Sequence, residues 1–483
     1  MKPASALVLL LLLPGAALPA AADPVRYALT LPEPGGTRVV ISIEPGDLKA
    51  PRSLVMPRAI PMGYAEQPYD RFVSNVRAAS GTGAALQVSR EDGPRWRISG
   101  DGTLRRIEYE VDLGDQEREI TSGSDASKAR SRYAGILGYS VFAYVEGEED
   151  RPVELAVRAP EGWPAFSTLA PSAPPATGSL AAKADDFYAL ADSQVALGPD
   201  LHVLRVEGSP PLFVTTYAEG DLDPATLGRL GREALDALIA YFGDAPFPHY
   251  TIYFEVLKPF DADHSYGFSM EHLESATIFF GAGQGVTSAS DEKTLDRHLY
   301  NLAHHIGHAW IPKRCYGEGY FPFSWELAPV LDTIWLSEGV GQYAAAAALA
   351  ATRPDGAAWL DGLLEARFRS RLREAPESIR RLGTIQLSRI ASTRYSEDFR
   401  TGSNSFARGG MMAAEMDEAI RKHTAGAKSL RDGLRAVCAW SHDHGRGFTI
   451  DEFRDILQES TGTDLAAIMT KWLAPQPAPE ERR

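Results

Sequence analysis

The period of the hydrophobic pattern changes along the chain, and this change most limits the folds that it can adopt. Up to about Trp163, apolar and polar residues alternate, as at 37–43 and 105–111, with Gly, Pro and Asp between the segments. A period of two is typical of strands that bury one face. From Asp291 onward, apolar residues recur every three or four positions, which predicts helices. We therefore expect an α+β multidomain protein with an antiparallel β domain first and helices last.

Composition divides the chain further. Residues 171–182 begin with a run rich in Pro, Ser and Ala that indicates a linker between domains. It follows a predicted β domain at 23–170 and precedes residues 183–350, where strands at 201–206 and 250–257 flank a helix around 226–241. Residues 351–483 are assigned to a helical C-terminal domain. The later predicted helices are 291–311, 326–350, 357–374, 407–423, 428–440 and 450–459.

Residues 1–22 have the pattern of a secretory signal peptide. Lys2 supplies a positive charge before a leucine-rich run at 7–13 and small residues at 20–22. The run is shorter than the roughly 20 residues that cross a bilayer, so cleavage is favoured over an uncleaved anchor. We expect a mature protein that is periplasmic or secreted, soluble and without a membrane span.

Net charge excludes some classes of binding partner, whereas the cysteine content decides little. The 483 residues carry a formal charge of −15, and loss of Lys2 makes it more negative, which argues against nucleic acid or an anionic membrane surface as a partner. The two cysteines, Cys315 and Cys438, are too few for a disulfide framework, and whether they pair stays open. The oligomeric state is not indicated.

Three histidines stand close together near the end of the predicted helix at 291–311. His304 and His308 are four residues apart, so their side chains lie one above the other on the same face. Two neutral imidazoles in this relation can bind one Zn²⁺ at about 2.0–2.1 Å. Taken alone, such a pair is more often a polar, solvent-facing surface than a metal site.

A second segment, Trp335-Leu336-Ser337-Glu338-Gly339, makes the metal reading stronger. Two His and one Glu are an established ligand set for catalytic zinc, and this set leaves a position open for water. Glu338 has apolar neighbours in the sequence, and a carboxylate buried among them is costly without a cation. A salt bridge to an arginine is the simpler alternative.

These motifs resemble the glycyl aminopeptidase family of gluzincin metallopeptidases, metallopeptidase family sixty-one. That family places its ligand Glu, within Trp-x-x-Glu-Gly, about thirty residues after the second His, and follows the histidines with a Trp and a Lys-Arg pair. This sequence has Trp310, Lys313 and Arg314 at the matching places. The resemblance extends to residues 188–193, to 270–275 (MEHLES) and to 411–436.

The resemblance implies a thermolysin-like domain at 183–350, with one zinc ion held by His304, His308 and Glu338. It further implies aminopeptidase-type hydrolysis of a peptide or protein substrate. Glu271 is expected to meet the free amine, with Met270 beside it in the substrate site; the alternative for Glu271 is a structural carboxylate at a strand end. Since the chain ends soon after Trp472, we expect no C-terminal PDZ module.

Two positions depart from the family pattern. His305 occupies the place of the Glu that accepts a proton from the zinc-bound water, and Phe406 that of the Tyr that donates to the oxyanion. A general base contributes about 10²–10⁴ in rate, and loss of an oxyanion donor costs roughly 2.7–4 kcal/mol.

Three hypotheses follow from these departures. The first is a weak or specialised zinc hydrolase in which His305 is an imperfect base. The second is a pseudopeptidase that binds peptides or a protein partner in the same cleft. The third is a structural metal site that His305 closes as a fourth ligand. The sequence does not separate the first two.

Overall fold

The structure is a computed structural model that describes residues 23–475, apart from residues 65, 121–125, 263 and 396. The predicted signal peptide at 1–22 lies outside the described residues. Within them, every helix is too short or too polar to cross a bilayer.

The strands, in chain order, are β1 Val25–Thr30, β2 Arg38–Glu44, β3 Leu48–Lys49, β4 Arg52–Val55, β5 Val73–Ser80, β6 Ala85–Arg90, β7 Arg95–Ser99, β8 Thr103–Asp112, β9 Lys128–Arg130, β10 Tyr133–Leu137, β11 Tyr144–Val145, β12 Val153–Arg158, β13 Pro164–Ser167, β14 Ala176–Thr177, β15 Ser179–Ala184, β16 Gln194–Leu197, β17 His202–Val206, β18 Leu212–Ala218, β19 Tyr250–Leu257, β20 Gly267–Glu271 and β21 Ser275–Gly281.

An eleven-stranded sheet forms most of the N-terminal part. Its order is β11-β4-β7-β6-β5-β8-β2-β1-β12-β15, with β3 paired to β8. Its pairs are antiparallel, as the alternation predicts, except for β1 with β12, which are parallel. In β2 the residues Val39, Ile41 and Ile43 are fully buried while their neighbours face outward, which is why this pattern forms a strand.

The stretch predicted as a linker contributes to two sheets instead. Strand β14 lies at the edge of a five-stranded sheet of order β14-β13-β16-β10-β9, and β15 completes the edge of the large sheet by pairing with β12. The prolines at 171, 174 and 175 and Gly178 lie outside both strands. Residues 176–177 and 179–182 of the predicted linker are therefore part of strands.

The central part is a mixed five-stranded sheet of order β17-β18-β19-β21-β20. Its three inner strands are parallel, and β20 joins the edge antiparallel to β21. Because β20 is an edge strand, Met270 and Glu271 pair with another strand, β21, on one side only. This edge faces the helices that follow.

Helices dominate from residue 292 onward, as predicted. The α-helices are α1 Leu113–Glu119, α2 Gly138–Val141, α3 Phe187–Ala191, α4 Pro224–Phe242, α5 Glu292–Gly307, α6 Gly341–Ala350, α7 Gly356–Leu364, α8 Ser370–Glu374, α9 Glu377–Arg380, α10 Thr384–Arg394, α11 Phe399–His423, α12 Leu430–His444, α13 Ile450–Thr461 and α14 Ala466–Leu473. Short π-helical turns at Trp335–Val340 and Glu365–Arg369 precede α6 and α8, and a 3-10 turn lies at Tyr69–Phe72.

The helix bounds differ from prediction where proline intervenes or no apolar period exists. Helix α5 ends at Gly307, four residues before the predicted end, because Pro312 cannot continue a helix and restricts the residue before it. The helix predicted from 326 begins near Trp335. Helix α10 was not predicted, and α11 starts at Phe399 rather than 407.

Two large apolar cores divide along the same line as the sheets. One fills the N-terminal sheets, and the other joins the central sheet to the helices.

Cys315 and Cys438 are both free thiols. A hydrogen bond with Cys315 and burial together raise the pKa of the Cys438 thiol well above its ordinary value, so the two side chains are neighbours.

Candidate metal centre

The three histidines lie at the C-terminal end of α5. Both His304 and His308 are buried, at 8% and 1% exposure, so the pair does not form a solvent-facing surface. The amide of His308 still donates to the carbonyl of His304, which keeps helical spacing across the end of the helix. One nitrogen from each of His304, His305 and His308 lies within 4.8 Å of the others.

Glu338 approaches these imidazoles from the π-helical turn at Trp335–Val340. Its Oε2 lies 3.3 Å from Nε2 of His304, and its Oε1 lies 3.8 Å from Nε2 of His308. Ligands of a tetrahedral zinc, at about 2.0–2.2 Å from the ion, are about 3.3–3.6 Å apart. The two distances to Glu338 are close to this range, so the three side chains are near enough to share one such ion.

Hydrogen bonding orients His308 as a ligand. Its Nδ1 lies 2.8 Å from the carbonyl oxygen of Ile311, so Nδ1 carries the proton and Nε2 keeps a free lone pair. Among the described residues, Nε2 of His308 has no hydrogen-bond partner despite its burial. The donor set fits zinc, because a buried acceptor nitrogen without a partner is costly and a cation would satisfy it.

The Glu338 carboxylate is held by neutral groups. The Tyr64 hydroxyl donates to Oε1 at 3.2 Å and lies 3.0 Å from Oγ of Ser337, while the Gln342 amide donates to Oε2 at 3.3 Å. No arginine among the described residues forms a salt bridge with Glu338, so the simpler alternative for this carboxylate does not apply.

Glu271 adds a second carboxylate to the centre from strand β20. It is 3% exposed, and its Oε2 lies 3.9 Å from Nδ1 of His305. Ligand atoms of Glu271, His308 and Glu338 also lie within 4.8 Å of one another. Met270 precedes it and lines the same cavity, as does His305. The sequence-predicted site residues therefore all lie at one place.

Burial and neighbouring charges lower the pKa of two of the imidazoles, those of His304 and His305. Burial lowers the pKa of His304 well below its ordinary value, and the positive charges of His308, Arg367 and Arg371 lower it further. Burial likewise lowers the pKa of His305, followed by His304 and His308, while Glu271 and Glu338 oppose that change. Neutral imidazole is the form that binds a metal ion.

A cavity of about 260 Å³ opens beside the centre. The lining residues that did not emerge from sequence include Tyr64, Arg367, Arg371 and Tyr395. Tyr64 follows Pro61 and Gly63 in a segment without periodicity, so no local signal marks it. The two arginines could have been found from sequence. They are four residues apart on a predicted helix, where like charges repel each other, so such a pair indicates a functional site.

Phe406 lines this cavity and packs against Tyr395, with ring centroids 5.6 Å apart. The nearby Arg408 is fully buried and donates to the carbonyls of Leu382 and Ile379. Burial lowers the pKa of Arg408 to about 10. Its guanidinium thus points away from the cavity and ties α11 to the preceding segment.

Four further histidines lie outside the centre. His272 bonds Asp192 at 3.0 Å and Thr277 at 3.2 Å, so it is a hydrogen-bonded core residue. His264 is buried beside Tyr266. His442 and His444 are exposed, and His444 stacks on Trp440.

Comparison with known proteins places the fold. Residues 26–199 match the Peptidase M61 N-terminal domain. No curated protein sequence gives a significant match to the chain.

Three solved structures share the arrangement of most of the chain. An aminopeptidase N family protein from Idiomarina loihiensis is 19% identical, with a TM-score of 0.82, over 94% of this chain and 76% of that one. An M1 zinc metallopeptidase from Deinococcus radiodurans is 15% identical, with a TM-score of 0.51, over 95% and 96%. A variant of a two-domain M1 zinc metallopeptidase, also at a TM-score of 0.51, was solved with L-tryptophan bound. The chain therefore has the multidomain fold of aminopeptidase-like zinc metallopeptidases.

Proposed function

We propose that the chain is a zinc-dependent peptidase of the aminopeptidase type, related to the glycyl aminopeptidases and slow because two catalytic groups are replaced. The observation that carries the proposal is the Glu338 carboxylate, 3.3 Å and 3.8 Å from the imidazole nitrogens of His304 and His308. The unpartnered Nε2 of His308 and the adjoining cavity support it, as does the Peptidase M61 N-terminal domain match.

When bound, a zinc ion would polarise the substrate carbonyl and lower the pKa of a water molecule to about 7. His304, His308 and Glu338 would hold the ion, and Tyr64 and Gln342 would keep the carboxylate in place. Glu271 would bind the ammonium group at the peptide N-terminus, because a buried carboxylate at the cavity edge needs a cation. This contact would fix which peptide bond reaches the centre.

His305 would accept the proton, and charge makes it a poor acceptor. A glutamate goes from −1 to 0 on protonation, whereas an imidazole goes from 0 to +1 beside a dication. Glu271, 3.9 Å away, offsets part of this cost. Phe406 offers no hydrogen-bond donor to an oxyanion, so we expect turnover well below that of a peptidase with Glu and Tyr at these places.

A second candidate, a peptide-binding protein without hydrolysis, is favoured by the third imidazole. A nitrogen of His305 lies within 4.8 Å of those of His304 and His308. As a fourth ligand, His305 would fill the position that a catalytic zinc leaves open for water. The cavity would then bind peptides without cleaving them.

Metal analysis and one double variant separate these candidates. The purified full chain is expected to hold one zinc, and Glu338→Gln is expected to lose it. Hydrolysis of glycyl peptides is then compared between wild type and His305→Glu with Phe406→Tyr, with Phe399→Tyr at the cavity rim as a control. A slow wild type and a double variant faster by about 10² or more support the peptidase.

A silent wild type and an active double variant would favour the binding protein instead. Absence of zinc from the purified chain, together with no uptake of added zinc, would contradict both candidates. Equal rates for wild type and double variant would show that His305 is an adequate base.

A further inference from the structure

Two arginines on the cavity wall are outside every salt bridge formed among the described residues. Arg367 and Arg371 lie one helical turn apart, across the junction of the π-helical turn Glu365–Arg369 and α8, and both line the cavity that contains His304 and Glu338. A like-charged pair at this spacing is unfavourable on a helix. The repulsion between the two guanidinium groups destabilises the helix unless an anion lies between or above them.

The same helical segment provides an internal comparison. Its outward-facing arginines are paired, since Arg369 lies 2.8 Å from Asp361 and Arg373 contacts Glu365 at 2.5 Å. Arg367 and Arg371 form no salt bridge with any carboxylate among the described residues, although both are half-buried. Arg367 instead lies over the ring of Tyr300, 5.0 Å from its centroid.

The charges around the cavity would not balance once a zinc ion is bound. Glu271 and Glu338 supply two negative charges, while Arg367 and Arg371 supply two positive ones. A zinc ion would add two more positive charges. The burial of Arg371 and the neighbouring Arg367 already lower the pKa of Arg371. An anion from the ligand would therefore be bound at this wall.

We infer that Arg367 and Arg371 form an anion subsite that selects peptides carrying a carboxylate. This inference rests on the proposed function, since it takes a peptide to be the ligand and Glu271 to hold its amine. Guanidinium groups bind carboxylates through paired, charge-assisted hydrogen bonds. The cavity, at about 260 Å³, is smaller than typical ligand sites, so the carboxylate comes from a residue near the N-terminus.

Two sources of that carboxylate are compatible with the cavity. One is an acidic side chain, Asp or Glu, close to the N-terminus of a longer peptide. The other is the C-terminal carboxylate of a di- or tripeptide. Both give the same chemistry at the arginines, and the peptides below distinguish them.

The test is a binding measurement, so that it does not depend on turnover. Isothermal titration of the zinc-loaded full chain compares Gly-Glu-Gly-amide with Gly-Gln-Gly-amide, and Gly-Gln-Gly free acid with its amide. We expect the carboxylate form of at least one pair to bind tenfold or more tightly than its neutral form. The pair that shows this difference identifies the source of the carboxylate.

The variants assign the difference to the two arginines. Arg371→Gln and Arg367→Gln are each expected to reduce the preference for the carboxylate by about tenfold, and Arg371→Lys to retain part of it. Arg373→Gln, at a paired surface position of α8, is the matched control and should keep the full preference. Thermal unfolding of each variant confirms that it is folded.

Failure of the anion subsite and failure of the proposed function give different binding results. If neutral and acidic peptides bind equally in both pairs, the anion subsite is wrong and the proposed function stands. If the arginine variants keep the full preference, another group reads the carboxylate and the inference is also wrong. If none of the four peptides binds, the proposed function fails, and the inference that rests on it fails too.

Discussion

The Tyr64 hydroxyl is the group that joins the N-terminal part of the chain to the metal centre. It donates to Oε1 of Glu338 at 3.2 Å and shares a hydrogen bond with Oγ of Ser337. Burial raises the pKa of Tyr64 well above its ordinary value, and the Glu338 charge adds to this effect. The phenol therefore stays protonated at every physiological pH and remains a donor to the carboxylate.

Tyr64→Phe is expected to weaken zinc binding by about 10–100-fold, because groups that orient a ligand carboxylate affect metal affinity by this amount. Competition with a chelator of known affinity measures the change. Tyr316→Phe is the control, since this ring is half-buried and lies outside the cavity lining. Equal zinc affinity for wild type and Tyr64→Phe would mean that Ser337 and Gln342 hold the carboxylate alone.

Residues of the centre differ in how far sequence reveals them. His304, His308 and Glu338 follow from helical spacing and from a ligand set that zinc prefers, and the structure brings them together. Tyr64 does not follow, because its approach depends on how the N-terminal sheet packs against a turn more than 270 residues later in the chain. The orientation of an irregular loop against a distant element has no local signature.

At the scale of elements, the π-helical turn that carries Glu338 depends on close contact with α11. A methyl group added at Gly409 would lie 1.9 Å from the carbonyl oxygen of Trp335, and one at Gly339 would lie 2.6 Å from the Cα of Gly409. The two backbones are thus in direct contact. This contact sets the position of Glu338 relative to Phe406 on α11.

Gly409→Ala is expected to destabilise the protein by about 1–3 kcal/mol or more and to lower zinc occupancy, because the turn and α11 must separate to admit the methyl group. Urea unfolding and metal analysis measure the two effects. Gly362→Ala in α7 is the matched control. Nothing lies within 4 Å of its added methyl group, and a helical alanine is favoured over glycine by roughly 0.5–1 kcal/mol. Full zinc occupancy in Gly409→Ala would contradict the role given to this contact.

The elements themselves were predicted unevenly. The alternating segments became strands and the amphipathic segments became helices, since burial of one face decides both. Helix α10 was missed because its apolar residues lack a clear period. Strand β15 was missed because it pairs at a sheet edge, where its composition of Ala, Ser and Lys is tolerated. Local composition does not report such long-range pairing.

At the scale of the whole molecule, a buried polar cluster connects the N-terminal sheets to the central sheet. Lys128 on β9 lies 3.6 Å from Oε2 of Glu255 on β19, and both side chains are 1% exposed. Tyr133 on β10 donates to Oε1 of Glu255 at 2.6 Å. Burial raises the pKa of Glu255, and the charge of Lys128 opposes this rise. The cluster therefore depends on both partners being present.

Lys128→Met is expected to lower the free energy of unfolding by about 3–5 kcal/mol, because it leaves the Glu255 carboxylate buried without its cation. Urea unfolding measures the loss. The double variant Lys128→Met with Glu255→Gln should recover part of it, since the uncompensated charge is gone. Lys183→Met, whose partner Glu154 lies 3.8 Å away at the surface, is the control and should change stability little. A double variant less stable than Lys128→Met would contradict this explanation.

Tyr64 belongs to the first third of the polypeptide, whereas His304, His308 and Glu338 belong to the remainder. A C-terminal fragment produced on its own would lack this hydroxyl, however well it folded. Exchange of the N-terminal half with that of a relative would, by the same reasoning, change the expected zinc affinity while leaving the proposed ligands unchanged. The β region thus contributes a side chain of its own to the candidate metal centre.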